Sequence, residues 1–132
     1  MGDQGNLASW LSKIESSHFK SWDLGLDRVT SVGKQLGVLT PAPIVVLVAG
    51  TNGKGSTCEY LSEFGIRNGL KVGKSTSPHV FEFNERIQID NEPLADEKII
   101  SAFKLIEEIR GAISLTYFEF SALAAMVCFL RE

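Results

Sequence analysis

Residues 44–57 read IVVLVAGTNGKGST, and the order of elements around this stretch decides the fold. Residues 44–49 form an uninterrupted apolar run that is mostly β-branched and shows no alternation with polar residues. Such a run predicts a strand that is buried on both faces, as in a parallel sheet. Apolar positions after the glycines recur at helical spacing as far as Gly69. We therefore expect a strand, a glycine loop and a helix in that order.

The glycine loop, residues 50–57, has the composition of a phosphate-binding segment. Gly50, Gly53 and Gly55 leave backbone N–H groups open to an anion at the positive end of the following helix. Lys54 adds a positive charge for the outer phosphates, and Ser56 or Thr57 offers a hydroxyl for magnesium. Because Gly55 separates Lys54 from Ser56, the spacing differs from the general P-loop and disfavours an ordinary kinase or GTPase. A hairpin turn at residues 52–53 is the weaker interpretation, since a helical pattern follows.

The rest of the chain predicts four more helices and a second strand. Apolar residues at helical spacing indicate helices over about 7–18, 26–36, 99–109 and 118–132. Asn6 is a candidate cap for the first helix, and Gly37 is a candidate stop for the second. Residues 71–76 are a candidate second strand, which would complete a right-handed strand-helix-strand unit. Residues 81–89 predict a loop and a short extended segment that ends at a turn over 91–93.

Together these elements predict an α/β fold, namely a P-loop three-layer α/β/α domain with a mainly parallel sheet. The last helix is apolar nearly all round, so it should need a sheet on one side and another layer on the other. The chain therefore reads as a domain truncated after an apolar helix. Such a fragment would either retain its fold or self-associate through that exposed apolar helix.

Composition argues against several classes of protein. The net charge is −3, from 16 acidic and 13 basic residues that are interspersed, so no basic field attracts nucleic acid or anionic lipid. The apolar stretch 118–130 is shorter than the roughly 20 residues of a membrane span. The amino terminus lacks the pattern of a secretory signal, which makes a cytoplasmic location the expectation. Cys58 and Cys128 have no spacing typical of zinc or redox pairs, and we expect both in the core.

Four ordered motifs resemble one enzyme family. VVLVAGTNGKGST is followed by KVGKSTSPHVFEFNERIQI and ISLTYFEFSALA, and it is preceded by LASWLSKIESSHFKSWDLGLDRV. Together they resemble the bacterial bifunctional dihydrofolate synthase/folylpolyglutamate synthases, relatives of the Mur ligases, over nearly the whole chain. The resemblance implies that residues 1–132 are the amino-terminal part of the ATP-binding domain, with the carboxy-terminal domain absent.

The resemblance implies an ATP-dependent, ADP-forming ligase of folate biosynthesis that uses ATP and Mg2+ as cofactors. ATP would phosphorylate a carboxylate of dihydropteroate or of a folate, and the amine of L-glutamate would then displace phosphate. Activation must come first in any such reaction, because a carboxylate does not react with amines until its oxygen becomes a good leaving group. The parent protein is expected to be a monomer. The fragment alone is expected to be inactive, since further magnesium ligands of the family lie beyond the last helix.

The resemblance also implies which residues of this chain form the site, by their positions in the matching motifs. The resemblance assigns the ATP phosphates to Asn52, Gly53, Lys54 and Gly55, with Lys54 as the catalytic residue. It assigns magnesium to Ser77, although Ser77-Pro78 read alone predicts merely a turn. Ser56 is a second candidate for the phosphate and magnesium site.

Two further stretches match dihydropteroate-binding loops of the family: Trp22-Asp23-Leu24-Gly25 and Thr116-Tyr117-Phe118-Glu119. An aromatic ring can stack on a flat pterin, and a carboxylate can accept hydrogen bonds from its nitrogens. From the residues alone, Trp22 and Phe118 fit a core equally well, and Glu119 fits a helix start. Trp22 also replaces an aliphatic residue of the family, so its contact would be through the backbone.

Some roles stay open from the sequence. A single histidine such as His79, without Cys, Asp or Glu at ligand spacing, is more often structural. Glu85 and Arg86 fit a local ion pair equally well. For the whole chain, the alternatives are a non-catalytic nucleotide-binding fragment and another P-loop phosphotransferase.

Overall fold

The computed structural model describes residues 6–16 and 25–132 of the chain. These fall into two compact units, Met1–Pro41 with Asp96–Glu132 and, separately, Ala42–Ala95. In chain order the elements are α1 (Leu7–Glu15), α2 (Asp27–Leu36), α3 (Lys54–Arg67), β1 (Gly73–Ser75), a 3-10 turn (Phe83–Arg86), β2 (Ile87–Ile89), β3 (Glu92–Pro93), α4 (Asp96–Arg110) and α5 (Tyr117–Arg131).

The first unit packs α1, α2, α4 and α5 around one apolar core. Phe103 of α4 and Phe120 of α5 are fully buried, and their rings meet edge to face with centroids 5.7 Å apart. Trp10 of α1 lies beside Phe103, with ring centroids 6.1 Å apart. Aromatic pairs at these distances add to the stabilisation from burial alone. The apolar stripes that predict the helices are thus the surfaces along which the helices meet.

The helix ends follow the local chemistry of the sequence. The side chain of Asn6 accepts hydrogen bonds from the amides of Ala8 and Ser9 at 2.7 and 3.3 Å, which confirms the predicted cap of α1. Gly37 follows α2 in the left-handed conformation with φ of 73°, as predicted. His18, which was expected on the first helix, lies outside the described residues.

The second unit places α3 against a small antiparallel sheet with the order β1-β2-β3. Gly73 of β1 pairs with Ile89 of β2. Asp90 and Asn91 join β2 to β3, and both have positive φ, at 51° and 65°. Two left-handed residues in succession are typical of a tight hairpin turn. The predicted turn therefore begins one residue earlier than expected, and residues 92–93 belong to β3.

The prediction of a strand over residues 44–49 is wrong. None of those residues belongs to a strand, and residues 44–47 are 62–90% exposed. A strand needs a neighbour that exchanges backbone hydrogen bonds with it, and β1 pairs with β2 instead. Within the described residues the sheet is antiparallel throughout. The strand-helix-strand unit and the mainly parallel sheet are therefore not formed by these residues.

Helix α5 is largely buried, whereas the sequence suggested an exposed, self-associating surface. Its apolar residues Phe120, Leu123, Ala124 and Val127 lie in the core of the first unit. They are covered because α5 packs against α1, α2 and α4. Among residues 6–16 and 25–132, no helix has the length and hydropathy needed to cross a bilayer.

Candidate functional site

The glycine loop turns the chain into the first residue of α3. Gly53 is the cap of that helix and has φ of 75°, while Gly50 at the start of the loop has φ of 144°. Residues with a side chain rarely adopt such positive φ angles, so glycine is favoured at both positions. A Cβ placed on Gly50, Gly53 or Gly55 would meet no atom within 4 Å. The loop thus presents bare backbone to open space, as a phosphate cradle requires.

The amino end of α3 provides the electrostatics of an anion site. Its first residues are Lys54, Gly55 and Ser56, all exposed, and the first hydrogen bond of the helix runs from the Thr57 amide to the Gly53 carbonyl at 2.9 Å. The amides at the start of a helix have no carbonyl partner within it and carry a partial positive charge. The predicted phosphate residues 52–56 therefore lie together at one helix terminus.

Lys54 closes over the loop that precedes it. Its ammonium group donates a hydrogen bond to the carbonyl oxygen of Gly50. The side chain therefore reaches back from the first residue of α3 to the first residue of the glycine loop. This places a positive charge at the glycine loop, where the sequence predicts phosphate binding.

A polar network ties α3 to the sheet of the second unit. The buried ammonium of Lys74 in β1 donates to Glu59 of α3 at 2.7 Å and to the side-chain oxygen of Asn91 at 3.2 Å. Ser62 of α3 donates to the same Asn91 oxygen at 2.8 Å. A buried charge is tolerated when it is paired and hydrogen-bonded in this way. Helix α3, which follows the glycine loop, is thereby fixed against β1, two residues before Ser77.

Ser77 lies in an exposed loop that follows β1 and continues to Glu82. The carboxylate of Glu85 accepts hydrogen bonds from the amides of Val80, Phe81 and Glu82 at 2.8, 2.9 and 3.0 Å. These amides, Val80 first, hold the pKa of Glu85 below its ordinary value. The carboxylate of Glu85 is therefore occupied by the backbone of the loop, where the sequence had left an ion pair with Arg86 open.

The oxygen donors of the second unit fit a magnesium ion that is bound together with a nucleotide. Ser77 and Ser56 provide exposed hydroxyl groups. Within the described ranges, no group of three or more His, Cys, Asp and Glu side chains is placed to hold a metal ion. Magnesium is commonly held by few protein oxygens, with water and substrate phosphates completing its shell. These residues therefore suit a phosphate-bound ion and do not form a cage of their own.

The stretch Thr116–Glu119 lies in the first unit, at the start of α5. The hydroxyl of Thr116 accepts from the amide of Glu119 at 3.1 Å, and the Glu119 carboxylate accepts from the Thr116 amide at 2.9 Å. This reciprocal pair is a capping box. It leaves Phe118 63% exposed, whereas Glu119 is buried. Phe118 is thus available for stacking, while Glu119 supports the turn from within.

Arg28 of α2 occupies the remaining face of Glu119. Its guanidinium donates to both carboxylate oxygens, at 2.6 and 2.9 Å, and also to the carbonyl oxygen of Ser114 at 3.0 Å. A bidentate pair of this kind is directional as well as charged. Arg28 follows Gly25 by three residues, so it connects the helix after one predicted pterin-binding stretch to the other stretch. Sequence patterns carry no signal for this residue, because its partner lies 91 positions away along the chain.

Of the first predicted pterin-binding stretch, only Gly25 is described, and it is exposed. Trp22, Asp23 and Leu24 lie outside the described residues. The predicted residues thus form two groups, the phosphate loop with Ser77 in the second unit and the aromatic stretch around Phe118 in the first.

No family model matches the chain. The chain is 50% identical over 123 residues to the dihydrofolate synthase/folylpolyglutamate synthase of Haemophilus influenzae, which covers 93% of the chain and 28% of that protein. The corresponding protein of Escherichia coli K12 is 49% identical over 123 residues, covering 93% of the chain and 29% of that protein. The chain thus spans less than a third of the length of these curated relatives.

The solved structures agree with the sequence comparison. Escherichia coli FolC in complex with DHPP and ADP has a TM-score of 0.94 and 48% identity, over 95% of this chain and 30% of that one. A bifunctional folylpolyglutamate synthase/dihydrofolate synthase with Mn, AMPPNP and L-glutamate bound has a TM-score of 0.90 and 44% identity, over the same shares. The α/β class predicted from the sequence is confirmed by this likeness. The similarity of the chain to the dihydrofolate synthase/folylpolyglutamate synthase family, first indicated by its motifs, is therefore confirmed over nearly all of its length.

Proposed function

We propose that this chain supplies the phosphate-binding and pterin-binding part of an ADP-forming ligase that adds L-glutamate to dihydropteroate and to folates. The observation that carries the proposal is the exposed glycine loop at the amino end of α3. The molecules named with the solved relatives, DHPP, ADP, AMPPNP, Mn and L-glutamate, support the same reaction. Because the chain spans less than a third of those relatives, the reaction is proposed for a longer protein that contains residues 1–132.

ATP would bind with its phosphates at the start of α3. The backbone of Asn52, Gly53 and Gly55 would donate hydrogen bonds to phosphate oxygens, helped by the helix dipole. The ammonium of Lys54, which now donates to the Gly50 carbonyl, would turn to the outer phosphates. That exchange retains a charge-assisted hydrogen bond and replaces a neutral acceptor with an anion.

The proposed reaction has two steps, phosphorylation of a carboxylate and formation of an amide. A carboxylate oxygen of the pterin substrate attacks the γ-phosphorus, the bond from that phosphorus to ADP breaks, and an acyl phosphate forms. The amine of L-glutamate then attacks the acyl carbon, loses a proton and expels phosphate to leave an amide. Lys54 stabilises negative charge on the transferred phosphoryl group. A magnesium ion held by Ser77, with Ser56 as a second ligand, would neutralise phosphate charge in the same step.

The pterin would be held by the first unit. Phe118 is the aromatic residue of the predicted stretch that is exposed for stacking on a flat ring. Thr116 and Tyr117 would contribute backbone groups beside it, and Gly25 would approach from the end of the other stretch. Glu119 would act from behind by holding the turn, since its oxygens already accept hydrogen bonds from Arg28 and Thr116.

The test is ADP release with dihydropteroate, L-glutamate and Mg-ATP, measured for this chain and for the longer protein that contains it. We expect turnover by the longer protein and nucleotide binding without turnover by the chain alone. Lys54→Met should lower kcat by on the order of a hundredfold in the longer protein. Lys34→Met, which removes an exposed charge from α2, is the matched control and should retain the rate.

Each result discriminates between the candidate functions. A longer protein that releases no ADP would contradict the ligase. Turnover by the 132-residue chain would contradict our view that it supplies only part of the site. ADP release that does not require dihydropteroate, a folate or L-glutamate would favour another P-loop phosphotransferase.

A further inference from the structure

One carboxylate, that of Glu85, bonds to three backbone amides of the loop over residues 77–82. Three successive amides, those of Val80, Phe81 and Glu82, point at Glu85, and we call their hydrogen bonds the Glu85 clamp. Oε1 accepts from Val80, and Oε2 accepts from Phe81 and Glu82. Hydrogen bonds to a charged acceptor are stronger than those between neutral groups. The clamp therefore contributes substantially to fixing the backbone of this loop.

Arg86, the next residue, fixes the same loop at two other points. Its Nε donates to Nδ1 of His79 at 2.8 Å, and its carbonyl accepts from the amide of Thr76 at 3.1 Å. The rings of His79 and Phe83 meet edge to face with centroids 6.0 Å apart. Residues 76 and 79–82 are thus tied to the 3-10 turn on both sides of Ser77.

Apolar burial does not account for the position of the loop tip. Val80 is 78% exposed and Phe81 is 88% exposed. A loop with exposed side chains depends on its hydrogen bonds for order and opens easily when they are removed. Order at the exposed tip therefore depends on the Glu85 clamp, beside the Arg86–His79 hydrogen bond.

We propose that Glu85 is a positioning residue, whose clamp on residues 80–82 holds the Ser77 hydroxyl where a divalent cation requires it. The inference rests on the proposed function, which makes Ser77 a ligand of that cation. Glu85 itself is not the ligand, because both of its oxygens face backbone amides. Partners that orient a metal ligand from behind commonly change metal affinity when they are removed.

The experiment compares Glu85→Ala, Ser77→Ala and the matched control Glu92→Ala in this chain. Glu92 is an exposed carboxylate of β3 in the same unit. The probe is Mn2+ in the presence of AMPPNP, with Mn2+ affinity read by electron paramagnetic resonance. AMPPNP affinity is measured separately in EDTA, and amide hydrogen exchange is followed by NMR.

We expect Glu85→Ala to weaken Mn2+ binding by about tenfold, as a lost orienting partner does. AMPPNP affinity in EDTA should stay the same, because the glycine loop is untouched. Exchange of the Val80, Phe81 and Glu82 amides should become faster by on the order of tenfold. Glu92→Ala should change none of these quantities.

The contrary outcomes distinguish a failure of the positioning role of Glu85 from a failure of the metal assignment of Ser77. Unchanged amide exchange in Glu85→Ala overturns the clamp, whatever the metal does. Weaker Mn2+ binding in Ser77→Ala but not in Glu85→Ala overturns the positioning role and leaves Ser77 as a ligand. Unchanged Mn2+ binding in both variants removes Ser77 from the metal site, which overturns the proposed metal assignment and this inference with it.

Discussion

Helix α3 passes so close to Val72 that a Cβ on Gly65 would lie 2.8 Å from the Cγ2 atom of Val72. Favourable contacts between carbon atoms lie at about 3.5–4.0 Å, so the two atoms would overlap. The absence of a side chain at Gly65 therefore allows helix α3 to lie against the segment that enters β1.

Gly65→Ala should destabilise the second unit even though alanine favours helices. Overpacking a close contact costs about 1–3 kcal/mol, which exceeds the gain of up to about 1 kcal/mol in helix propensity. The measurement is the free energy of unfolding in urea. An unfolding free energy equal to or above that of the wild type would show that Val72 moves away at no cost.

Gly55→Ala is the same substitution in the same helix, with the opposite expectation. A Cβ at Gly55 meets no atom within 4 Å, so the free energy of unfolding should be unchanged or slightly higher. The methyl group would, however, stand where the phosphates approach, and AMPPNP affinity should fall by about tenfold or more. Isothermal titration with AMPPNP measures this change. An unchanged affinity for AMPPNP would show that the phosphates do not bind next to Gly55.

Arg28→Ala should destabilise the first unit, because it leaves the buried Glu119 carboxylate without its cationic partner. The side chains are 24% and 9% exposed, and we expect a loss of about 2 kcal/mol after allowing for solvent at the arginine. Arg67→Ala is the control, since its pair with Glu63 has side chains 77% and 50% exposed and should be worth under about 0.5 kcal/mol. Equal losses in urea unfolding would contradict a structural role for the Arg28–Glu119 pair.

The pKa of Glu85 gives a pH dependence with a definite sign. It lies below the ordinary value of 4.5, first because of the Val80 amide and then because of Glu82 and Phe81. A carboxyl group with a lowered folded pKa stabilises its loop above the ordinary value, and this contribution is lost as the pH falls through the lowered pKa. We expect the carboxyl carbon resonance of Glu85 to titrate below 4.5 in NMR. A midpoint at or above that value would contradict the clamp.

Cys128 should resist alkylation. Burial raises the pKa of its thiol to about 11, so the thiolate is a minor species at about pH 8. Cys58 is only half-buried and serves as the internal comparison. Peptide mass spectrometry after iodoacetamide should show modification of Cys58 well before that of Cys128. Equal rates would show that α5 opens readily at its carboxyl end.

The local elements were readable from the sequence because their signals lie within a few residues. Asn6 caps α1, Gly37 ends α2, and the glycine loop opens α3, each through the backbone chemistry of its own residues. The same is true of Thr116 and Glu119, which are three positions apart and form the capping box of α5. Short-range chemistry of this kind does not depend on the rest of the fold.

Residues 44–49 show the limit of such patterns. Their apolar composition predicts burial on both faces of a strand, but it does not indicate which segments would pack against them. Pairing is decided by competition among distant segments, and β1 pairs with β2 across a loop of the same unit. Arg28 was missed for a related reason, since its partner lies 91 positions away. The role of Glu85 stayed open because it bonds to backbone amides, which any sequence would provide.

Glu119 accepts hydrogen bonds from two helices at once, through the cap of α5 and the guanidinium on α2. Fraying of the first turn of α5 would expose Glu119, the partner of Arg28. Departure of α2 would leave the buried Glu119 carboxylate without its arginine at the start of α5. Neither element can therefore loosen by itself at small cost. The two behave as one cooperative folding unit, in which the rigidity around Phe118 is set by a helix that begins 91 residues earlier in the chain.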